Sequence, residues 1–330
     1  MNRSISSTAL TGCSFLALAS LVGVGGCGGD SAAFGEGLTS TAERPLPVGE
    51  PVVPPSSVRL ETVAEFPPGT FLENLEPLDD GTVQITSYFD KRTLRFADGS
   101  VSTFAELPEH PVAVLSTTEG FIVTAHAIPF TEFPAFTESN RILLLDANGA
   151  VVRETPAPEA KFLNGLHRLP SGEILAADSI EGTIWAVDPE TGTLREWLRD
   201  ELLLPDANVE AFRPGANGIK THQGSLYISN SSRGVILRRQ PIATGTLEVY
   251  SETGPVDDFV FDDAGTIYAT THGAALLSVD GAGQVVPILQ EGCDACTSVT
   301  RLGEALIVIT TGGLAEGRND PARVLRITGF

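Results

Sequence analysis

Four oxygen-bearing residues, Glu73, Asn164, Asn217 and Asp257, recur at matched places along this sequence. Glu73, Asn164 and Asp257 each stand eight residues before a glycine, at Gly81, Gly172 and Gly265, and Asn217 stands seven before Gly224. His110 and Thr297 hold the corresponding places before Gly120 and Gly303 at looser spacing. A second set follows the same glycines by six residues: Ser87, His126, Asp178, Asn230 and Thr271, with His272 beside the last and Thr310 as a looser equivalent. Carboxylates and carboxamides are hard oxygen donors. Two of each brought together suit a divalent cation, Ca²⁺ first, with Mg²⁺, Mn²⁺ or Zn²⁺ as alternatives. Without a cation, Glu73 and Asp257 repel each other, and one tends to keep its proton. A bound cation removes that cost and leaves positions open for water or a substrate oxygen. Taken singly, each Asn or Asp is ordinary turn chemistry. The matched spacing is what points to a site.

Such residues need a scaffold that brings distant parts of the chain to one axis. Phe162–Trp197 reads as four short strands, separated by Pro170-Ser171-Gly172, Glu181-Gly182 and Asp188-Pro189-Glu190-Thr191-Gly192. Turn residues at that spacing mark hairpins. One four-stranded meander cannot bury a core alone. The chain supplies five further imperfect copies, centred on the strands that begin near Glu73, His110, Asn217, Asp257 and Thr297. Radial repetition of four-stranded sheets is a β-propeller, here all-β and six-bladed. The sixth copy ends at Phe330 with three strands, and Val58–Phe66 stands unpaired before the first. That orphan is expected to complete the last blade and close the ring. Two packed β-sandwiches are the rival, but no composition break separates them. In a propeller the first strand of each blade lines the central channel, so Glu73, Asn164, Asn217 and Asp257 meet at one mouth. Trp185 and Trp197 then read as core between blades, and His167 beside Arg168 as channel wall.

Composition agrees with this class. The 330 residues include 34 Gly and 22 Pro, and 42% are hydrophobic. The net charge of −21 argues against nucleic acid as a partner. No Gly-x-Ser-x-Gly elbow, phosphate-binding glycine loop or His-Glu-x-x-His occurs. Phe15–Val24 is a short apolar run with the form of a secretory leader. Val24-Gly25-Gly26-Cys27 resembles a bacterial lipoprotein signal, with Cys27 the lipidated residue. Residues 1–27 are thus expected to be a leader and 28–57 a disordered Gly/Ser/Pro-rich tether, with the propeller over 58–330. The protein would be exported, either anchored to the membrane through that lipid alone or secreted. Cys293-Asp294-Ala295-Cys296 lacks a second cysteine pair and a βαβ context. In an exported protein a local disulfide is the better reading than half a zinc site or a redox motif.

The blade turns, the Glu of copy one, Asn217-Gly218 and Asp257 together resemble the gluconolactonase / senescence-marker-protein (regucalcin) superfamily of six-bladed propellers. The resemblance covers residues 58–330. It implies that Glu73, Asn217 and Asp257 hold a divalent metal, that Asn164 is a further channel Asn, and that Asp257 is the general base in opening a lactone. Asn74-Leu75 stands where the family commonly has Gly-Pro, Val256-Asp257-Asp258 where it has Pro-Asp-Gly, and Phe162 near the place of a basic residue that meets sugars. The expected function is therefore a metal-dependent hydrolase of a lactone or similar ester, acting as a monomer on a small molecule. His126, Asp178, Asn230 and His272 would contact that substrate. The alternative is a non-catalytic propeller whose mouth binds a glycan, peptide or protein.

Overall fold

The computed structural model describes residues 57–208 and 213–330, so the leader, Cys27 and nearly all of the tether lie outside the described residues. Six four-stranded antiparallel sheets form the blades of a propeller. The first strands, from blade one to blade six, are Leu72–Pro77, His110–Ser116, Leu163–Arg168, Ala216–His222, Val256–Phe261 and Cys296–Leu302. Blade six takes its outermost strand, Arg59–Pro68, from the start of the described chain. That strand runs antiparallel to Pro321–Thr328, from Arg59 opposite Thr328 to Pro68 opposite Pro321. Its Val63, Ala64 and Phe66 pack on the apolar layer between blades six and one. The ring is closed as the orphan strand required.

The core is divided among the blade interfaces. One apolar cluster joins blades one and two, and others join two to three, three to four, four to five, five to six and six to one. This follows from strand alternation in twisted sheets that stack face to face: both faces of the inner strands are covered. The second strand of blade three, Ile174–Asp178, is buried throughout. Trp185 lies in the layer between blades two and three, and Trp197 packs on that between three and four. Cys293 and Cys296 are joined by a disulfide and lie in the layer between blades five and six.

Every first strand carries a bulge at its start, between Leu72 and Leu75 in blade one and at the equivalent place in the others. A bulge re-aims the side chains it displaces. The displaced residues include Glu73, Asn164, Asn217, Asp257 and Thr297. In blade two the register places Val112 at this position, not His110. Val112 stands eight residues before Gly120, the spacing of Glu73, Asn164 and Asp257 from their glycines, whereas His110 stands ten before it. Gly120 itself opens the second strand, paired with Asp146. An added Cβ there would collide with the carbonyl of Leu145.

Hydroxyls stitch bulge to bulge. Thr86 Oγ1 accepts from Asn74 N at 2.9 Å and donates to the carbonyl of Val112 at 2.7 Å. Thr124 joins Ala113 N to Asn164 O in the same way, Ser229 joins Gly218 N to Asp257 O, and Thr270 joins Asp258 N to Thr297 O. The next residue along closes the turn to the third strand instead. Asp178 Oδ1 accepts from the backbone N of Phe162, Ile180 and Glu181, and Oδ2 accepts from Lys161 N and Trp185 Nε1. Asn230 donates to the carbonyls of Leu202 and Leu204 and accepts from Arg233 N.

Two stability outcomes follow. Removing residues 1–56 should leave the melting temperature unchanged. Removing 1–68 strips an edge strand and should lower it by at least about 5 °C in a scanning melt. Asp178→Ala orphans four backbone donors and an indole, and should cost about 3 kcal/mol or more in denaturant unfolding. A side chain whose role was substrate contact would leave that unfolding curve in place.

Candidate functional site

The bulges turn Glu73, Asn164, Asn217, Asp257 and Thr297 to one mouth of the channel, with Val112 completing the ring. Asn164, Asn217, Asp257 and Thr297 are each about 95% buried. The two amides are anchored by nitrogen. Asn164 Nδ2 donates to Ser179 Oγ at 3.2 Å, and Asn217 Nδ2 donates to Ser231 Oγ at 3.2 Å and to Asp257 Oδ1. Ser179 and Ser231 are themselves fixed, donating to the carbonyls of Ala216 and Val256. Anchoring by nitrogen leaves each amide oxygen without a donor among the described residues.

The carboxyls carry the electrostatic signature. Glu73 keeps some surface at the channel, but surrounding protein strips its carboxyl of water. Burial first, and the charge of Asp258 second, push it from 4.5 up to about 8. Asp257 is raised well above its ordinary value by burial, then by Glu73 and Asp258, against the hydrogen bond from Asn217. Asp258 is compensated: Lys220 Nζ lies 2.6 Å from Oδ1, and Ser298 Oγ donates to Oδ2 at 2.6 Å. Glu73 and Asp257 have no cationic partner of that kind at the ring. Such a pair is stable with protons or with a cation. The donor chemistry, two carboxyls with two amide oxygens, fits a hard divalent cation. Among the described residues no three His, Cys, Asp and Glu side chains converge as a metal set, so the amides are needed to complete one.

His272 stands beside this ring. Its Nε2 lies 3.9 Å from Asp257 Oδ2, and that nitrogen is shut off from solvent with no hydrogen bond. Burial, and then Arg213, push it down to about 4, so the ring is neutral at pH 7. His126 is elsewhere. It is fully buried, held by Tyr88 Oη at 3.0 Å from Nδ1, and packed on Phe136 and Phe162. Asp178 and Asn230 are consumed by the turns described above. Of the four residues expected to touch substrate, the structure brings only His272 to the mouth. His126, Asp178 and Asn230 are placed as supports beneath it, because the side chain ending each second strand faces the turn and not the axis. The residues that do follow on at the axis, Ser179 and Ser231, were one step along from those expected.

The opposite side of the mouth is apolar. Phe71, Tyr88 and Val112 form a buried cluster, and half-buried Phe89, Phe130 and Leu314 pack against it. Phe71 meets Phe89 and Phe130 edge-on, with ring centroids 5.7 and 5.4 Å apart. Phe130 belongs to the Pro129–Ser139 insertion, and its N–H donates to Tyr88 Oη at 2.9 Å. Leu314 comes from the short 3-10 helix Leu314–Glu316 of blade six. The insertion therefore packs on the rim of blades one to three. Deeper in the channel, Glu76 accepts from Ser116, and its raised carboxyl feels burial first and the cations of Lys220 and Arg168 as opposing influences. His167, expected on the channel wall, is nearby and bonds Thr221 Oγ1 at 2.9 Å.

No family model matches this chain, and no curated protein matches it. Solved structures do. A luciferin-regenerating enzyme superimposes with a TM-score of 0.62 at 14% identity, covering 83% of this chain and 96% of that one. A candidate gluconolactonase gives 0.58 at 15% identity over 83% and 93% of the two chains. Regucalcin of Agrobacterium tumefaciens, described as a calcium-binding protein, gives 0.56 at 15% identity over 82% and 96%. At such identities the likeness is one of fold: the chain has the six-bladed propeller fold of the regucalcin and gluconolactonase proteins that its blade motifs resemble.

Proposed function

We propose that this protein is a divalent-cation-dependent hydrolase that opens a lactone or similar cyclic ester at the mouth of its channel. The observation that carries the reading is the desolvated pair Glu73 and Asp257, both pushed up and neither matched by a cationic side chain. Glu73, Asp257, Asn164 and Asn217 would hold the cation through side-chain oxygens. When bound, it supplies positive charge that relieves the carboxylates and polarises a carbonyl.

The chain's own groups do the rest. Asp257 takes a proton from water as that water adds to the carbonyl carbon. The proton passes to the ring oxygen as the acyl–oxygen bond breaks, so one water and one lactone become one hydroxy acid. His272 faces Asp257 Oδ2 as a neutral imidazole, and its unpaired Nε2 can accept a hydrogen bond from the water or from a substrate hydroxyl. Glu73 serves as ligand. The fixed serines Ser179 and Ser231 hold the amides in place, so the donors need no rearrangement when substrate arrives.

Proton and cation compete for this pair, and the sign is fixed. Glu73 titrates at about 8 in the fold against an ordinary 4.5, so the folded, cation-free protein holds a proton that the unfolded chain gives up. The resulting stability is complete below pH 4.5 and is lost as pH rises to about 8. In chelator the melting temperature should fall across that window. Millimolar Ca²⁺ should restore it at pH 8, and Glu73→Gln should flatten the dependence. A melt indifferent to both pH and Ca²⁺ would remove the cation from this site.

Activity is the second check. Across a panel of lactones and aryl esters with saturating Ca²⁺ or Mg²⁺, Asp257→Ala should lower kcat by roughly a hundredfold or more. Glu73→Gln should weaken calorimetric cation binding along with turnover. Cation binding by the wild type with no turnover on any of the panel would leave the binding-propeller alternative.

A further inference from the structure

The mouth has two unlike sides. Blades three, four and five present oxygens and an imidazole: Asn164, Asn217, Asp257 and His272. Blades one, two and six add carbon beside the ring groups Glu73 and Thr297: Val112 in the ring itself, then Phe71, Phe89, Phe130 and Leu314 above it, with Glu316 on the same short helix as Leu314. Glu73 stands on the apolar side, close enough for its charge to help raise the phenol of Tyr88, after burial. Phe89, Phe130 and Leu314 are only half-buried. Three loops from three blades thus leave apolar surface at one place beside the reacting groups.

Several of the polar groups around the mouth are already occupied. Both oxygens of Asp178 and both ends of Asn230 are tied to turns. Ser179 and Ser231 are bonded to backbone carbonyls and to the ring amides. The Tyr88 hydroxyl is shared between His126 Nδ1 and Phe130 N. Among the described residues the six ring positions hold no cationic side chain, and the charge of exposed Arg213 acts on His272 and Glu316. A polyhydroxylated lactone seated against the apolar wall would exchange water for phenylalanine at the hydroxyls that face it, and an unpaired hydroxyl costs free energy on burial. An alkyl or aryl substituent on the same wall loses only contact with water, which is favourable.

Resting on the hydrolase reading above, we infer that the substrate carries an apolar substituent, an alkyl chain or an aryl ring, on its lactone or ester. Phe89, Phe130 and Leu314 form the surface that selects it. The ester head meets the oxygen donors, and the substituent lies across the mouth on the aromatic side. Phe71, Tyr88 and Val112, more deeply buried, hold that surface in shape.

The test compares γ-nonalactone and dihydrocoumarin with glucono-δ-lactone on the full chain with Ca²⁺. Both apolar lactones should show kcat/KM at least about tenfold above the sugar lactone. Phe89→Ser and Leu314→Ser should each raise KM for the apolar pair by roughly tenfold, a larger effect than either has on kcat or on KM for the sugar lactone. Val249→Ser, on an exposed outer strand, should change nothing. A preference for glucono-δ-lactone, or Phe89→Ser and Leu314→Ser variants that melt normally and leave the apolar KM in place, would overturn the inference. If no lactone is turned over, the hydrolase reading has failed and binding decides the subsite separately. The corresponding lactam, 5-pentylpyrrolidin-2-one, should then bind by titration calorimetry, more weakly to Phe89→Ser and Leu314→Ser than to Val249→Ser. No binding, or equal binding by all three variants, would overturn the apolar subsite as well.

Discussion

A single repeated interaction holds the site in register: a hydroxyl near the end of a second strand bridging two bulges. Thr86, Thr124, Ser229 and Thr270 each accept from a displaced amide in their own blade and donate to the carbonyl of the mouth residue in the next. A bulge leaves backbone groups without ladder partners, and burying them unpaired would be costly. The hydroxyl removes that cost and, in doing so, ties the side-chain aim of one blade to the position of its neighbour. Blades three and six have Ala177 and Ile309 at this place. Their seams are closed by other means: Ser179 bonds the carbonyl of Ala216, and Thr297 Oγ1 bonds that of Leu72 at 2.8 Å. The mouth is therefore a ring of backbone joints before it is a ring of side chains.

That rigidity explains how charge is tolerated there. Three carboxyls, on Glu73, Asp257 and Asp258, crowd one end of a channel in a protein of net charge −21. One of them is settled by Lys220 and Ser298. The other two are left to protons, or to a cation that the chain does not itself provide. A scaffold free to relax would swing one carboxyl out to water and dissipate the repulsion. Here the bulge fixes the backbone, the adjacent amide fixes Asp257, and the apolar cluster stands on the remaining side. Strain of this kind persists only where surrounding structure over-determines it.

The parts of this arrangement that recur in the sequence were legible there. Blade number and the mouth positions Glu73, Asn164, Asn217 and Asp257 follow from repeated spacing against turn glycines, ring closure from a last copy one strand short, and the Cys293–Cys296 pair from the want of any second cysteine pair. In blade two the eight-residue spacing before Gly120 falls on Val112, the residue the structure has at the mouth, and His110 departs from that spacing by two residues. The second set is out by one residue. Alternation along a strand means that an error of one exchanges the axis for the turn, and Asp178 and Asn230 are the residues on the turn side. A better ruler was present in the recurring hydroxyl of Thr86, Thr124, Ser229 and Thr270. The apolar wall left no such trace, since Phe71, Phe89, Phe130 and Leu314 come from unrelated loops with no common spacing.

This contrast separates two kinds of residue at one mouth. The donors sit on strand starts, where any shift in backbone position would pull on the hydroxyl joint of the next blade. The half-buried wall residues Phe89, Phe130 and Leu314 sit on the connections between second and third strands, which pack on the rim and carry no part of those joints. Loop residues can be exchanged without disturbing the ring, while a change at Asn217 or Asp257 alters both the donor set and the hydrogen bond that joins them. The positions where this sequence departs from its resemblance are Asn74-Leu75 and Asp258 within or beside the bulges, and Phe162 beside them in blade three. Asn74 and Asp258 now take part in the joints, through Thr86 and Thr270. Phe162 is buried against His126 and Phe136, so a basic side chain at that place would lose its water against two aromatic rings.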